Sequence, residues 1–63
     1  MSARELQVLK LIAVGKQNRA IAEMLAISIH TVEAHRGRVM MKLNLHSVVD
    51  LVKYALREGL IET

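Results

Sequence analysis

Cysteine, proline, tryptophan and phenylalanine are missing from these 63 residues, and Tyr54 is the one aromatic side chain. Without cysteine the chain has no disulfide framework and no thiolate metal site, which is typical of a reducing compartment, so we expect a cytoplasmic location. No apolar run approaches the ~18 residues that span a bilayer, and no charged segment followed by an apolar one forms a leader. We therefore expect a protein that does not contact a membrane.

The missing proline and the abundance of Leu, Ile, Val, Ala and Met favour helices packed on helices, so the predicted fold class is all-α. Sixty-three residues make one domain, and a domain of this length buries only ~60% of its unfolded surface. Nine Lys and Arg against six Asp and Glu give a net charge of +3. This excess favours a polyanionic partner, although it is also common in proteins that bind nothing acidic.

Capping residues and apolar periodicity divide the chain into four helices. Ser2 and Glu5 have the spacing of a capping box at the start of the first helix, and Gly15 supplies its left-handed C-cap. Asn18 is expected to cap the second helix and Ser28 the third. The predicted helices cover about residues 2–14, 18–25, 28–43 and 47–58.

The last of these helices has a wide apolar arc. Asn44 is tolerated in the left-handed turn before it, Ser47 and Asp50 cap its start, and Gly59 closes its end. The arc consists of Leu51, Ala55, Val48, Val52, Leu56 and Val49. This is wider than a small three-helix core should need, so part of the arc is either a partner surface or buried within the domain.

The third helix has two contrasting faces. A step of about 100° per residue places Val32, Val39 and Leu43 on one apolar stripe that faces a core. The opposite arc carries His30, Ala34, Gly37 and Met41, and one edge carries Thr31, His35, Arg38 and Lys42. A face that is small in the middle and cationic along an edge suits insertion into a DNA major groove. A solvated surface has the same pattern, and the helix alone does not separate the two interpretations.

A short helix, a tight connection and a longer basic helix are the parts of a helix-turn-helix. In the second helix the inward positions are Ile21, Ala22 and Leu25, and Ala22 is small where the two helices should cross. Ala26 and Ile27 form the connection to the third helix. The four predicted helices therefore contain a helix-turn-helix between residues 18 and 43.

A run of residue types in register resembles the LuxR-type helix-turn-helix family over nearly the full chain. The matching positions are Ser2, Arg4, Glu5, Val8, Leu9, Gly15, Asn18, Arg19, Ile21, Ala22, Leu25, Ile27, Ser28, Thr31, Val32, His35, Arg36, Lys42 and Leu43. The segments His35–Met40 and Leu51–Leu60 look most similar to FixJ-like and NarL-like response regulators of two-component systems. The resemblance implies a DNA-binding domain that forms the output module of a transcription regulator. It also implies an N-terminal regulatory domain outside residues 1–63, although a free-standing small regulator would have the same sequence.

The resemblance assigns roles to individual side chains. The positions implied to face base edges are His30, Glu33, Ala34 and Gly37. The positions implied to contact phosphates are Asn18, Arg19 and Thr31, for which helix capping or a solvated charge is the alternative. The charges along one edge of the third helix add Arg38 and Lys42 as phosphate contacts. His35 is expected on the same edge, with a structural role as its alternative. The fourth helix commonly forms the dimer contact on paired half-sites, which here implicates Val49, Val52, Lys53 and Leu56.

Two charged residues fall within apolar stripes, and a charge placed there needs a partner. Glu5 lies in the stripe of the first helix and Arg36 in that of the third, so we predict a Glu5–Arg36 ion pair between them. The alternative is that Glu5 only completes the capping box while Arg36 extends outward to a phosphate.

Together these features predict sequence-specific binding of double-stranded DNA, by docking and not by chemistry. The sequence shows no nucleophile–base pair, no paired catalytic carboxylates and no Gly-rich phosphate loop, so we expect neither an enzyme nor a cofactor. His30 and His35 lie five residues apart with no acidic cluster beside them, and we expect no metal site. One rival is a helical protein–protein module. The other is an RNA binder, disfavoured because a single tyrosine offers almost no stacking platform.

Overall fold

A computed structural model describes residues 1–62, and this part of the chain contains four α-helices and no strand. The helices are α1 (Ala3–Ala13), α2 (Asn18–Leu25), α3 (Ile29–Lys42) and α4 (Val48–Arg57). The predicted all-α class is confirmed. For α1, α3 and α4 the predicted ranges are longer by one residue at each end, because they included the N-cap and C-cap residues.

Serine hydroxyls begin three of the four helices, because each satisfies a backbone donor that the first turn leaves free. The backbone N–H of Glu5 donates to Ser2 Oγ (3.1 Å), and the backbone N–H of Ser2 donates to Glu5 Oε1 (3.0 Å), which completes the predicted capping box. Ser28 and Ser47 accept equivalent bonds of 3.1 Å from the third residue after each of them. These local signals were read correctly from sequence.

The second helix begins differently. Its N-cap residue is Gln17, whose side chain makes no capping hydrogen bond. Asn18 is already the first helical residue, so the prediction that Asn18 caps α2 is wrong. Its Oδ1 instead accepts a hydrogen bond from Arg36 Nη1 of α3 (3.3 Å), so a long-range contact has taken the place of a local one.

All four helices end in the same way, with a left-handed residue followed by a backbone bond that spans five residues. The left-handed residues are Gly15, Ala26, Asn44 and Gly59, with φ of 96°, 55°, 54° and 69°. The bonds run from Lys16 to Leu11, Ile27 to Ala22, Leu45 to Met40 and Leu60 to Ala55, at 2.8–3.0 Å. Asn44 takes the predicted conformation. Ala26 is the unusual member, because its Cβ meets a carbonyl oxygen in this conformation.

Helix α1 is central, because it packs against each of the other three helices, and α2 also packs on α3. The core consists of Val8, Leu9, Ile12, Ala13, Ile21, Ala22, Val32, Val39, Leu51 and Ala55. Leu43, predicted to face inward, is half-buried and packs against this core. None of the described helices is long and apolar enough to cross a membrane.

The apolar arc of α4 is divided between the core and the surface. Leu51 and Ala55 are fully buried, and Val52 is half-buried. Val49 is 61% exposed and Leu56 is 38% exposed. The domain therefore leaves part of the arc uncovered, and the alternative that it buries the whole arc is wrong.

Candidate nucleic-acid interface

Helix α3 turns Val32 and Val39 into the core and presents its opposite face to solvent. This outward stripe comprises His30, Ala34, Gly37 and Met41, and every member is exposed. Ala34 and Gly37 occupy its middle, so the backbone of α3 is least covered there. The predicted division of α3 into an inner and an outer face is confirmed.

Nothing within the described part of the domain requires glycine at position 37. A Cβ built at this position meets no atom within 4 Å, so neither packing nor a close helix crossing requires glycine. Glycine inside a helix lowers stability by about 1 kcal/mol relative to alanine. A ligand outside the chain could approach the α3 backbone closely at this position, because the space in front of Gly37 is open.

The polar side chains at the start of α3 are held by local contacts. The Oγ1 of Thr31 lies 2.9 Å from Ser28 Oγ, so its hydroxyl belongs to the N-terminal cap while remaining exposed. His30 Nδ1 lies 3.8 Å from Glu33 Oε1, and both side chains are largely exposed. Both groups therefore remain available at the surface where the resemblance places DNA contacts.

The ion pair that joins α1 to α3 differs from the predicted one. Lys42 Nζ lies 2.9 Å from Glu5 Oε1, and only 5% of the Glu5 side chain is exposed. The Glu5–Arg36 pair is wrong: among the described residues Arg36 contacts Asn18, and Glu5 contacts Lys42 and Ser2. The charge in the α1 stripe does have a partner across the helix interface, but it lies at the end of α3.

The capping bond lowers the pKa of Glu5. The backbone N–H of Ser2 is the largest cause, followed by the hydrogen bond from Lys42, and together they outweigh burial and bring the pKa of Glu5 from 4.5 to about 2. The carboxylate therefore stays charged throughout the ordinary pH range and remains a partner for Lys42.

A basic groove adjoins the start of α2. It has a volume of about 460 Å³ and includes Lys16, Asn18, Arg19 and Arg36 in its lining. Arg19 Nε lies 3.9 Å from Glu23 Oε1, with both side chains exposed, so its charge is weakly paired. Lys16 was not predicted to belong to this basic surface. Its place in the connecting loop, two residues before Asn18, is the sequence signal that could have indicated it.

The two remaining predicted phosphate contacts differ in their surroundings. Arg38 is exposed and has no ion-pair partner within residues 1–62. His35 is half-buried, and its Nδ1 is buried with no hydrogen-bond partner among the described residues. A phosphate contact from His35 would therefore have to use Nε2. No cluster of three or more potential metal ligands occurs in the described chain.

Helices α2 and α3, joined by a turn at Ala26 and Ile27, define the class of this protein as a helix-turn-helix domain. The sequence matches the family described as bacterial regulatory proteins, luxR family, over residues 1–55. The chain belongs to this family, which confirms the resemblance seen in the sequence. It is a DNA-binding domain of the kind that forms the output part of transcription regulators.

Several relatives carry the name oxygen regulatory protein NreC. The chain is 53% identical over 62 residues to the protein of Staphylococcus epidermidis, with 98% of this chain and 28% of that relative covered. Its identity to the proteins of Staphylococcus carnosus and Staphylococcus aureus is 52% over 62 residues, again 98% of this chain and 29% of each relative. The chain therefore spans less than a third of the length of these relatives.

Proposed function

We propose that this domain binds double-stranded DNA sequence-specifically by placing the outward stripe of α3 in the major groove. The observation that carries the proposal is the shape of that stripe, which is smallest at Ala34 and Gly37. A groove about 12 Å wide admits a helix, and small central residues let its backbone approach the bases. Packing within the domain does not require glycine at position 37, which supports an orientation of α3 with this stripe towards the bases.

The proposed base contacts follow from the chemistry of the side chains on and beside this stripe. Glu33 accepts a hydrogen bond from cytosine N4, and Ala34 contacts a thymine methyl group. His30 reaches a base at the N-terminal end of α3, where recognition helices commonly contact base edges. Gly37 makes no side-chain contact with a base, and its small size lets the backbone of α3 come close to the bases.

The proposed phosphate contacts surround this stripe. They are Asn18, Arg19, Thr31, His35, Arg38 and Lys42. Arg38 is the strongest member, because it is exposed and unpaired within residues 1–62. Lys42 has three N–H donors and Glu5 occupies one, so a phosphate can take another. Asn18 uses its amide oxygen for Arg36 and keeps its NH₂ group for a phosphate.

The exposed part of the α4 arc supports a dimer on paired half-sites. Val49 and Leu56 are exposed apolar residues on one helix, with Lys53 exposed and Val52 half-buried between them. A second copy of α4 covers this surface in a two-fold arrangement, as commonly happens when a dimer binds two half-sites. We further propose that the domain acts within a longer response regulator, in which an N-terminal receiver domain controls it.

The proposal is tested by selecting bound sites from random duplexes and measuring affinity for the selected site over a range of salt concentrations. Affinity should fall steeply with salt, because Lys and Arg contacts release counterions from DNA. Arg38→Ala should weaken binding to all duplexes alike and reduce the salt slope by roughly one unit. Lys10→Ala is the matched control, since Lys10 lies in a groove that is lined by residues of α1 and α2 and by none of α3.

The two rival interpretations predict different results. A helical protein–protein module would select no duplex sequence and would show no salt-dependent affinity for DNA. An RNA binder would prefer single-stranded RNA over the selected duplex. Equal effects of Arg38→Ala and Lys10→Ala on the salt slope would show that α3 does not face the phosphates.

A further inference from the structure

Met41 is the most exposed of the large hydrophobic residues in the described chain, at 83%. It lies near the C-terminal end of α3, whereas its neighbour Met40 is half-buried and packs against the core. At about 100° per residue, Met41 is displaced by about 20° from both His30 and Ala34 around the helix axis. Around the helix axis Met41 therefore points in nearly the same direction as His30 and Ala34, towards the DNA that we propose α3 contacts.

The chemistry of Met41 distinguishes it from the cations along the edge of α3. A thioether carries no charge and only a weak acceptor, so it has no favourable contact with a phosphate. Met41 also makes no contribution to the core, since it stands in solvent. Its long, flexible side chain is suited to apolar contact with an irregular surface.

We infer that Met41 is a specificity-determining residue that contacts the C5-methyl group of a thymine. The inference rests on the proposed binding of α3 in the major groove, where the thymine methyl is the apolar group among otherwise polar base edges. Ala34 and Met41 are separated by seven residues, or about 10 Å along the helix axis. With α3 along the groove, that distance corresponds to about three base-pair steps of ~3.4 Å. Met41 therefore selects thymine about three base pairs from the base pair that faces Ala34.

The test replaces single thymines of the selected duplex by uracil, which removes the methyl group and preserves base pairing. At the thymine about three base pairs from the one that faces Ala34, the wild-type chain should lose about fourfold in affinity, the factor that corresponds to ~0.8 kcal/mol for one methyl-sized group. Met41→Ala should lose a similar factor on the thymine duplex. It should lose nothing further on the uracil duplex, because the two changes remove the same contact.

Two control variants separate this contact from a general effect on the domain. Met24→Ala removes a methionine that is 57% exposed on α2, and it should leave affinity and the response to uracil unchanged. Met41→Leu keeps an apolar side chain of similar size and should restore most of the discrimination. Circular dichroism should show that each variant remains helical.

Several results would overturn the inference while leaving the proposed function intact. One is a selected site without thymine at the expected spacing. Another is an affinity of Met41→Ala that equals wild type, or that falls equally on specific and random duplexes. If the wild-type chain selects no duplex at all, the proposed function fails and this inference fails with it.

Discussion

The ammonium group of Lys42 at the end of α3 lies 2.9 Å from the buried carboxylate of Glu5 at the start of α1. The same Glu5 oxygen accepts the backbone N–H of Ser2, so one carboxylate joins the N-terminal cap of α1 to the last turn of the proposed recognition helix. Because α1 packs against all three other helices, this pair helps to set the position of α3 relative to the whole core.

The first prediction concerns the acid stability of this ion pair. The folded-state pKa of Glu5 is about 2 and its ordinary value is 4.5. A depressed pKa contributes stability that is fully present above pH 4.5 and is lost as the pH falls from 4.5 towards 2. Glu5→Gln should therefore have a lower melting temperature than wild type at pH 6, with a smaller difference at pH 2.

Thermal unfolding followed by circular dichroism between pH 2 and 6 measures this effect. Glu23→Gln is the matched control, because Glu23 is exposed and its only ion-pair contact in residues 1–62 is a 3.9 Å approach to Arg19. A melting-temperature difference between Glu5→Gln and wild type that stays constant across this range would contradict the assignment.

The second prediction is that Gly37→Ala stabilises the free domain and weakens DNA binding. Alanine is favoured by about 1 kcal/mol in a helix interior, and its Cβ meets no neighbouring atom at this position. The added methyl group would obstruct close approach of α3 to the bases. Denaturant unfolding and duplex titration on the same preparation measure the two effects. A variant that is more stable and binds equally well would show that the centre of the stripe does not approach DNA closely.

The third prediction is that Ala26→Gly raises stability by about 1 kcal/mol. Ala26 has φ of 55° and ψ of 43°, a left-handed conformation that costs a non-glycine residue roughly 1–2 kcal/mol. The greater flexibility of glycine in the unfolded chain offsets part of this gain. Ala20→Gly is the control of opposite sign, because residue 20 lies inside α2, where glycine lowers stability by about 1 kcal/mol. Chemical denaturation should therefore separate the two variants by about 2 kcal/mol.

The fourth prediction places a charge on the exposed part of the α4 arc. Val49→Asp should weaken binding to a duplex with two half-sites much more than to a duplex with one, because it introduces repulsion between two copies of α4. Val14→Asp is the matched control, since Val14 is 57% exposed at the end of α1. Gel-shift titrations on both duplexes measure the difference. Equal losses on the two duplexes would argue against a dimer contact through Val49.

Local chemistry made the helices predictable from sequence. The serine caps at Ser2, Ser28 and Ser47 bond to groups only three residues away, so no other part of the chain has to be known. Gly15 and Asn44 likewise mark helix ends through their own backbone preferences. The family pattern then located the proposed interface on α3.

Contacts between helices were decided by the tertiary structure. The sequence indicated that Glu5 needs a partner across the α1–α3 interface, but Arg36 and Lys42 were both on α3 and both long enough to reach. Which of the two pairs with Glu5 depends on how α3 crosses α1. The crossing places Lys42 beside Glu5 and Arg36 beside Asn18. The crossing arises from the packing of the whole core, and no residue spacing within one helix determines it.

The same distinction applies to α4. Periodicity identified its apolar arc, and the amino-acid sequence by itself determined that the helix is amphipathic. Which part of the arc meets the core was settled by the packing of α4 on α1, which buries Leu51 and Ala55 and leaves Val49 exposed. In this helix the apolar arc is wider than the surface that its packing on α1 covers. Burial is thus a property of the assembled domain, whereas amphipathicity is already present in the order of the residues.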